Sequence, residues 1–173
     1  MSQQKQMSDS YGLGILLALT GGYLDAYTYL MRGGVFANAQ TGNIVLFGVN
    51  LAEKNWSRAG YYLVPILTFA VGVLITEQVR GRYKYASTLH WRQIILCVEI
   101  VVLLAVAFLP LGRLDVLANV LVSFVCALQV QSFRKVDGNS MATTMCTGNL
   151  RSGTELLCRY WKTKERPLLR KAG

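Results

Sequence analysis

Residues 59–76 read AGYYLVPILTFAVGVLIT, a run without a single charged side chain. An α-helix of this length spans about 27 Å, close to the roughly 30 Å hydrocarbon core of a bilayer. The run is apolar on every side rather than along one stripe, which is typical of a helix without a water-facing surface. The stretch therefore predicts a helix that crosses a membrane.

Four further windows have the same character. They are residues 10–31, 33–52, 93–112 and 116–133, with Asp25 in the first and Glu99 in the third as the acids they contain. Of the 173 residues, 53% are hydrophobic and 16% are charged, whereas a soluble domain has roughly 25% charged residues. A soluble bundle of buried helices is the alternative, but its helices would alternate polar and apolar faces. The sequence predicts an all-α fold, a polytopic transmembrane helical bundle, as a single membrane domain over residues 1–173.

The protein has a net charge of +9, and its basic residues lie mostly between the apolar windows and in the C-terminal tail. Cytoplasmic segments of membrane proteins collect Lys and Arg, and both 77–92 and 151–173 are rich in them. We therefore expect a multi-pass protein of the bacterial inner membrane, with its N-terminus, the 77–92 loop and the C-terminal tail in the cytoplasm. A cytoplasmic tail favours a half-crossing, re-entrant path for 139–158, whereas 34–52 is long enough to cross by itself.

The sequence contains a short internal repeat. Thr41-Gly42-Asn43 recurs 106 positions later as Thr147-Gly148-Asn149. At the same offset, Asp25 falls on Gln131, and each copy has an apolar helix, a glycine-containing connector and a second helix opened by Thr-Gly-Asn. Internal repeats are common in membrane transporters. We expect a first repeat over 10–112 and an incomplete second repeat over 113–173, inverted relative to the first.

Polar residues within the windows are the candidates for a substrate or ion pathway. They are Asp25, Thr41, Gly42, Asn43, Gln129, Gln131, Thr147, Gly148 and Asn149. An ionisable residue at mid-bilayer costs about 2.5–3.5 kcal/mol on insertion scales, so it usually faces a cavity or a partner. Asp25 is either an ion relay or substrate contact, or a carboxylate bonded to the neighbouring Thr-Gly-Asn helix end. The Thr-Gly-Asn copies are either helix ends that face a polar ligand or packing sites built from small residues.

Two other charged residues receive a structural interpretation. Glu99 is interpreted as a packed or snorkelling side chain, because it lies near one end of its window. Arg32 directly follows an apolar run, and it is interpreted as an interfacial anchor.

The sequence offers no residue set typical of an enzyme. The four cysteines lack C-x-x-C spacing, His90 is the single histidine, and no phosphate-binding loop or nucleophile motif occurs. We expect no catalytic activity, no cofactor and no bound metal. Membrane topology and attraction to anionic lipids explain the basic tail, so we also expect no nucleic-acid partner.

Two stretches resemble the YoaK-like family of uncharacterised bacterial integral membrane proteins. They are GGYLDAYTYLMRGGVFANAQTGN at 21–43 and QVQSFRKVDGNSMATTMCTGNL at 129–150. The resemblance extends from about residue 12 to residue 157. It implies about six spans, no established biochemical function, and a chain that is short at its C-terminus, because members of the family usually continue for further helices.

Two functions remain open from the sequence. The repeat, the broken helices and Asp25 favour a small secondary transporter or channel for a polar solute or ion. The alternative is a non-transporting membrane scaffold or assembly partner, or a truncated non-functional relative. The expected partners are the lipid bilayer, a small polar solute or ion, and a further copy of the chain.

Overall fold

The computed structural model of the protein describes residues 11–83, 91–133, 135–136, 139–140 and 146–163. Within these ranges the chain forms six helices and one pair of very short strands. The helices are α1 (Tyr11–Met31), α2 (Gln40–Ala52), α3 (Trp56–Tyr83), α4 (Trp91–Ala107), α5 (Asp115–Ser132) and α6 (Cys146–Thr163). Strands β1 (Lys135–Val136) and β2 (Asn139–Ser140) pair antiparallel, with Lys135 opposite Ser140. Apart from this pair the described fold is all-helical, as predicted.

The chain divides into two compact units. One consists of residues 19–132 and contains most of α1 together with α2 to α5. The other consists of residues 1–18 and 133–173, and it contains the start of α1, the strand pair and α6. The candidate pathway residues of the first Thr-Gly-Asn copy lie in the 19–132 unit, and those of the second copy lie in the other unit.

Local sequence explains where the helices of the 19–132 unit begin and end. α1 stops before Gly33 and Gly34, whose φ values of 85° and 77° are ones that residues with a β-carbon rarely adopt. α3 begins after Asn55, whose Oδ1 accepts the N–H of Arg58 at 3.2 Å, as an N-cap side chain does. α5 begins at Asp115, which accepts the N–H of Gly112 at 2.9 Å. Because α1 ends at Met31 and α2 begins at Gln40, residues 32–39 form a connector between these two helices.

Helix α5 is the central element of the 19–132 unit, because both α3 and α4 pack on it, while α2 packs on α3. The lack of a side chain at Gly72 lets α3 approach Ala127 and Phe124 of α5 closely. One apolar cluster joins α1, the connector, α4 and α5 through Leu24, Ala37, Val106, Ala118, Val122 and Cys126. A second cluster joins Trp91 and Ile95 of α4 to Leu128 of α5.

The surface is far more apolar than that of a water-soluble protein, and the interior contains many polar side chains. The buried polar residues include Thr28, Arg32, Asn43, Thr76, Glu99, Asn119, Ser123, Gln129 and Ser132. Large apolar side chains instead face outward, for example Leu30 (76% exposed), Val101 (67%) and Phe108 (80%). Water would penalise so much exposed apolar surface, whereas lipid does not. The distribution is the one expected of helices whose solvent is hydrocarbon.

Two of the helices, α3 and α5, are both long and apolar enough to cross a bilayer. Of the five apolar windows, these two coincide with helices that meet both conditions, and the other three do not meet both within the described residues. α2 has 13 residues, about 20 Å, so the expectation that 34–52 crosses by itself is wrong. α1 is long enough, with 21 residues, but its polar residues lower its mean hydropathy, and α4 is shorter, with 17 residues.

Candidate functional site

Asp25 of α1 lies against the beginning of α2. Its Oδ1 accepts the backbone N–H groups of Asn38 at 2.7 Å and Ala39 at 3.2 Å, immediately before the helix starts at Gln40. The first N–H groups of a helix have no partner inside the helix, and a carboxylate there also complements the helix dipole. Asp25 is therefore bonded to the start of the Thr-Gly-Asn helix, which is one of the two alternatives that the sequence left open.

Asn43, the third residue of the first Thr-Gly-Asn copy, is fully buried and pairs with the connector. Its Oδ1 accepts the N–H of Phe36 at 3.0 Å, and its Nδ2 donates to the carbonyl of the same residue at 2.6 Å. Nδ2 also donates to Oε1 of Gln40 at 2.9 Å. The amide thus bonds both the N–H and the carbonyl of Phe36. A shorter side chain, or one with only a donor or only an acceptor, could not make both bonds.

The other two residues of this copy have different roles. A β-carbon at Gly42 would lie 2.6 Å from the Phe36 ring, so the glycine makes room for that ring. The ring in turn stacks on Tyr29, with centroids 4.7 Å apart. Thr41 is exposed. In the structure, two of the three Thr-Gly-Asn residues therefore serve to hold the connector.

Thr28, one turn beyond Asp25, completes the bonding between α1 and the connector. Its hydroxyl donates to the carbonyl of Leu24 at 2.9 Å and accepts the N–H of Ala37 at 3.2 Å. Thr28 and Ala37 are both fully buried. Buried backbone groups need such partners, since leaving them unpaired costs about 1–3 kcal/mol each.

Arg32 lies at the start of the connector and is only 2% exposed, so its interpretation as an interfacial anchor is wrong. Its guanidinium donates to the carbonyls of Leu109 (2.7 Å) and Pro110 (2.8 Å), which follow α4. It also donates to the Tyr27 hydroxyl at 2.7 Å and forms an ion pair with Asp115 at 3.1 Å. Burial lowers the pKa of Arg32, but the bonds with Tyr27 and Asp115 outweigh it and raise the pKa above its usual value.

The backbone carbonyl of Arg32 is held as well. The Tyr61 hydroxyl of α3 and Nδ2 of Asn119 of α5 both donate to it at 2.8 Å, and Asn119 Nδ2 lies 3.0 Å from the Tyr61 oxygen. One residue thus ties the end of α1 to α3, to α5 and to the turn between α4 and α5.

Glu99 is buried near the middle of α4, with 6% of its surface exposed. Ile95 and Val106 pack on α5, and Glu99 shares their face of α4 because it lies one turn from the first and two turns from the second. Its Oε1 has no hydrogen-bond partner within the described part of the chain. Of the two alternatives offered by the sequence, Glu99 is therefore the packed side chain and not the snorkelling one.

On α5, three residues one turn apart face the same side: Asn119, Ser123 and Cys126. Among the residues that the structure describes, Asn119 Oδ1 and Ser123 Oγ are buried and lack a hydrogen-bond partner. The Cys126 thiol is within electrostatic reach of the carboxyl groups of Asp25 and Glu99. We call Glu99, Asn119, Ser123 and Cys126 the polar seam. Cys126 lies about 16 Å along α5 from Asp115, roughly half the thickness of the hydrocarbon core.

The remaining sequence candidates lie elsewhere on α5 and on α6. Gln131 donates to Glu77 of α3, and Gln129 is buried on α5. Thr147 and Gly148 are exposed on α6, and the side chain of Asn149 lies outside the described residues.

Both Thr-Gly-Asn copies begin at the second residue of their helices, α2 and α6. The two helices differ in character, however, since α2 is apolar and α6 carries charges along its length. The connector residues that would precede α6 at the equivalent positions, 143–145, lie outside the described residues. The internal repeat stays a prediction.

Sequence reasoning missed Arg32, and it gave Glu99 too little weight. The carbonyl and carboxylate partners of the Arg32 side chain lie 77 to 83 residues further along the chain, so no local pattern marks them. For Glu99 a signal was present, because it shares a helical face with apolar residues rather than lying at a helix end. Among the described residues, no three His, Cys, Asp or Glu side chains converge in a way that could hold a metal ion.

The fold and the site together define an α-helical membrane protein with polar and ionisable side chains enclosed between its helices. The chain belongs to the family described as protein of unknown function (DUF1275), which matches residues 13–172. It is 29% identical over 143 residues to the UPF0700 transmembrane protein YoaK of Bacillus subtilis (strain 168). That similarity covers 79% of this chain and 62% of the relative. The predicted resemblance is confirmed, and no solved structure matches the chain.

Proposed function

We propose that the protein is a small secondary transporter or channel that carries a proton or another small ion, alone or with a polar solute, across the bacterial inner membrane. The observation that supports this most is Glu99, a carboxyl group buried within the bundle with one oxygen unpartnered in the described structure. Ionisable residues inside a membrane usually mark ion or substrate pathways.

The polar seam supplies the chemistry that such a pathway needs. The unpartnered atoms of Glu99, Asn119 and Ser123 are all oxygens. The carboxylate of Glu99 can take up a proton, and all three oxygens can coordinate a small cation. Asp25 is a second carboxyl group within electrostatic reach of Cys126. In this proposal the protein is multi-pass, its C-terminal tail is cytoplasmic, and the Thr-Gly-Asn residues position the connector.

The connector itself favours the second candidate, a membrane scaffold or assembly partner. The polar groups of Asp25, Thr28 and Asn43 form hydrogen bonds within the protein. A site made only of satisfied groups would have a structural role. The two functions therefore differ in which residues matter, Glu99 for transport and the connector for scaffolding.

Flux into proteoliposomes decides between them. The full chain is reconstituted with an internal pH dye, and proton uptake is driven by a potassium–valinomycin potential, with sodium and potassium uptake measured in parallel. We expect the wild-type protein to give a larger ion flux than empty vesicles. Glu99→Gln should reduce this flux at least about tenfold. Glu53 is an exposed glutamate at the end of α2, and Glu53→Gln should retain the flux.

Each outcome of this experiment separates the candidates. Flux equal to that of empty vesicles for all three ions would reject transport in favour of the scaffold. Wild-type flux that survives in Glu99→Gln, with the variant folded, would retain transport but remove Glu99 from it. Asp25→Asn is the further variant, and a loss of flux at unchanged stability would return Asp25 to the pathway.

A further inference from the structure

Helix α6 presents an exposed apolar face. Leu150, Leu157 and Trp161 are spaced seven and four residues apart, which places them on one side of the helix. They are 72%, 43% and 75% exposed, respectively. α6 is also the helix of the described structure in which polar and apolar residues are separated most strongly by face.

The same helix carries cations beside this apolar face. Arg151, Arg159 and Lys162 are exposed and lie together about 100–180° around the helix from Leu150. Glu155 is the acid among them, and it pairs with Arg159 at 2.6 Å. The sequence beyond the helix, residues 164–173, adds four further cations and one acid. The charge of this part of the chain is therefore strongly positive.

These two faces are incompatible with a helix that crosses the bilayer. α6 is not among the helices that are apolar enough to span, and a charged face in hydrocarbon would be strongly unfavourable. A helix with cations on one side and Leu and Trp on the other is typical of helices that lie in the plane of the membrane surface. Tryptophan in particular prefers the boundary between headgroups and acyl chains.

We propose that α6 is an interfacial helix that binds anionic phospholipid, with Leu150, Leu157 and Trp161 inserted at the edge of the acyl chains and Arg151, Arg159 and Lys162 directed to the headgroups. The charge complementarity selects this occupant over a second copy of the chain, because two such basic faces would repel each other. The proposal replaces the half-crossing path predicted for 139–158, and it does not depend on the proposed transport.

Depth measurements on the full chain test the orientation of α6. Single cysteines are placed at Leu150, Leu157 and Glu155 in a background without the four native cysteines, labelled with a nitroxide, and reconstituted in nanodiscs of phosphatidylcholine with 30% phosphatidylglycerol. We expect the labels at 150 and 157 to be more accessible to oxygen than to a water-soluble nickel chelate, and the label at 155 to show the reverse. A depth that changes steadily along the helix would indicate a crossing and overturn the proposal.

Lipid selectivity is tested in the same discs. Brominated phosphatidylglycerol should quench tryptophan fluorescence more than brominated phosphatidylcholine, and Trp161→Phe should remove the difference. Arg151→Gln with Lys162→Gln should lower the preference for the anionic lipid by about fivefold per charge, since each cation near a surface contributes about that factor. Arg80→Gln with Arg82→Gln, which removes the same charge from α3, is the matched control and should have little effect on the Trp161 signal.

Two results would contradict lipid binding. Equal quenching by the two brominated lipids in the wild type would remove anionic lipid as the partner. Spin–spin broadening between labels at 150, together with nickel-inaccessible labels on both faces, would indicate that a second copy covers α6 instead. If the cysteine-free background fails to fold, the tryptophan measurement on the native sequence still decides, because it needs no cysteine replacement.

Discussion

The connector and the polar seam are both buried and both polar, but they differ in how their hydrogen bonds are used. Around the connector, Asn43 of α2 and Thr28 of α1 bond to connector backbone groups that would otherwise be unpaired. In the seam, Glu99 and Ser123 have buried oxygens without a partner in the described structure. A satisfied network makes one conformation unique, whereas unsatisfied oxygens cost free energy that a structural role alone does not repay. Burial of a polar residue is thus not enough to identify a functional site; its bonding decides.

Arg32→Gln should have the largest effect on stability, because it leaves the partly buried Asp115 without its ion-pair partner and frees two carbonyls after α4. Removing one member of a fully buried pair costs about 3–5 kcal/mol, and the partial exposure of Asp115 puts this loss at about 3 kcal/mol. The measurement is the free energy of unfolding in mixed micelles. Arg32→Lys keeps the charge but cannot make the same set of bonds, so it should fall between the wild type and the glutamine variant.

The control for this prediction is an arginine whose ion pair is exposed. Arg80 pairs with Glu77 at 3.2 Å on the surface of α3, and Arg80→Gln should change stability by less than about 1 kcal/mol. An equal loss from Arg32→Gln and Arg80→Gln would show that the connector is not a special network.

Asn43→Asp should have the next largest effect. The aspartate keeps an acceptor for the N–H of Phe36 but has no donor for the Phe36 carbonyl, which is then unpaired at a cost of about 1–3 kcal/mol. Thermal unfolding in detergent measures the loss. Asn50→Asp is the matched control, because in the described part of the chain the Asn50 side chain donates to the carbonyl of Leu46 in its own helix. A variant at 43 as stable as the variant at 50 would contradict the role given to the Thr-Gly-Asn asparagine.

The smallest effect should come from Ser123→Ala, which compares a hydroxyl of the polar seam directly with the bonded hydroxyl of Thr28. Ser123 and Thr28 are both fully buried hydroxyl residues. Removing the unpartnered hydroxyl of Ser123 should leave stability unchanged or raise it by up to about 1 kcal/mol, whereas Thr28→Val should lower it by about 1–2 kcal/mol. Unfolding free energies measured side by side decide. A loss in Ser123→Ala as large as that in Thr28→Val would show that Ser123 has an ordinary structural bond.

Much of the fold could be predicted from the sequence, because helix formation in a membrane depends on local composition. The apolar runs at 59–76 and 116–133 correspond to the span candidates α3 and α5. The run at 33–52 was misleading, since Gly33 and Gly34 end one helix and the connector delays the next to Gln40. Absence of charge predicts that a segment tolerates lipid, but not that it is one continuous helix.

The site was predictable only where its partners are close in sequence. Asp25 and the start of α2 are 13 residues apart, and their contact was one of the stated alternatives. Arg32 could not be assigned, because a lone arginine after an apolar run looks the same whether it reaches water or turns inward. The amphipathic spacing of Leu150, Leu157 and Trp161 was present in the sequence, but the half-crossing path for 139–158 was predicted from the charge of the tail alone.

The bonds of Arg32 have a consequence for how the protein is made. Its carbonyl and carboxylate partners are encoded 77 to 83 residues later, so they are synthesised after a delay of about 4–17 s at roughly 5–20 residues per second. Until then the guanidinium has Tyr27 of α1 as its partner, and the headgroup region must accommodate the charge. Stable enclosure of this cation waits for the turn between α4 and α5. The end of α1 is therefore among the last parts of the 19–132 unit to reach its final place, although it is among the first to be synthesised.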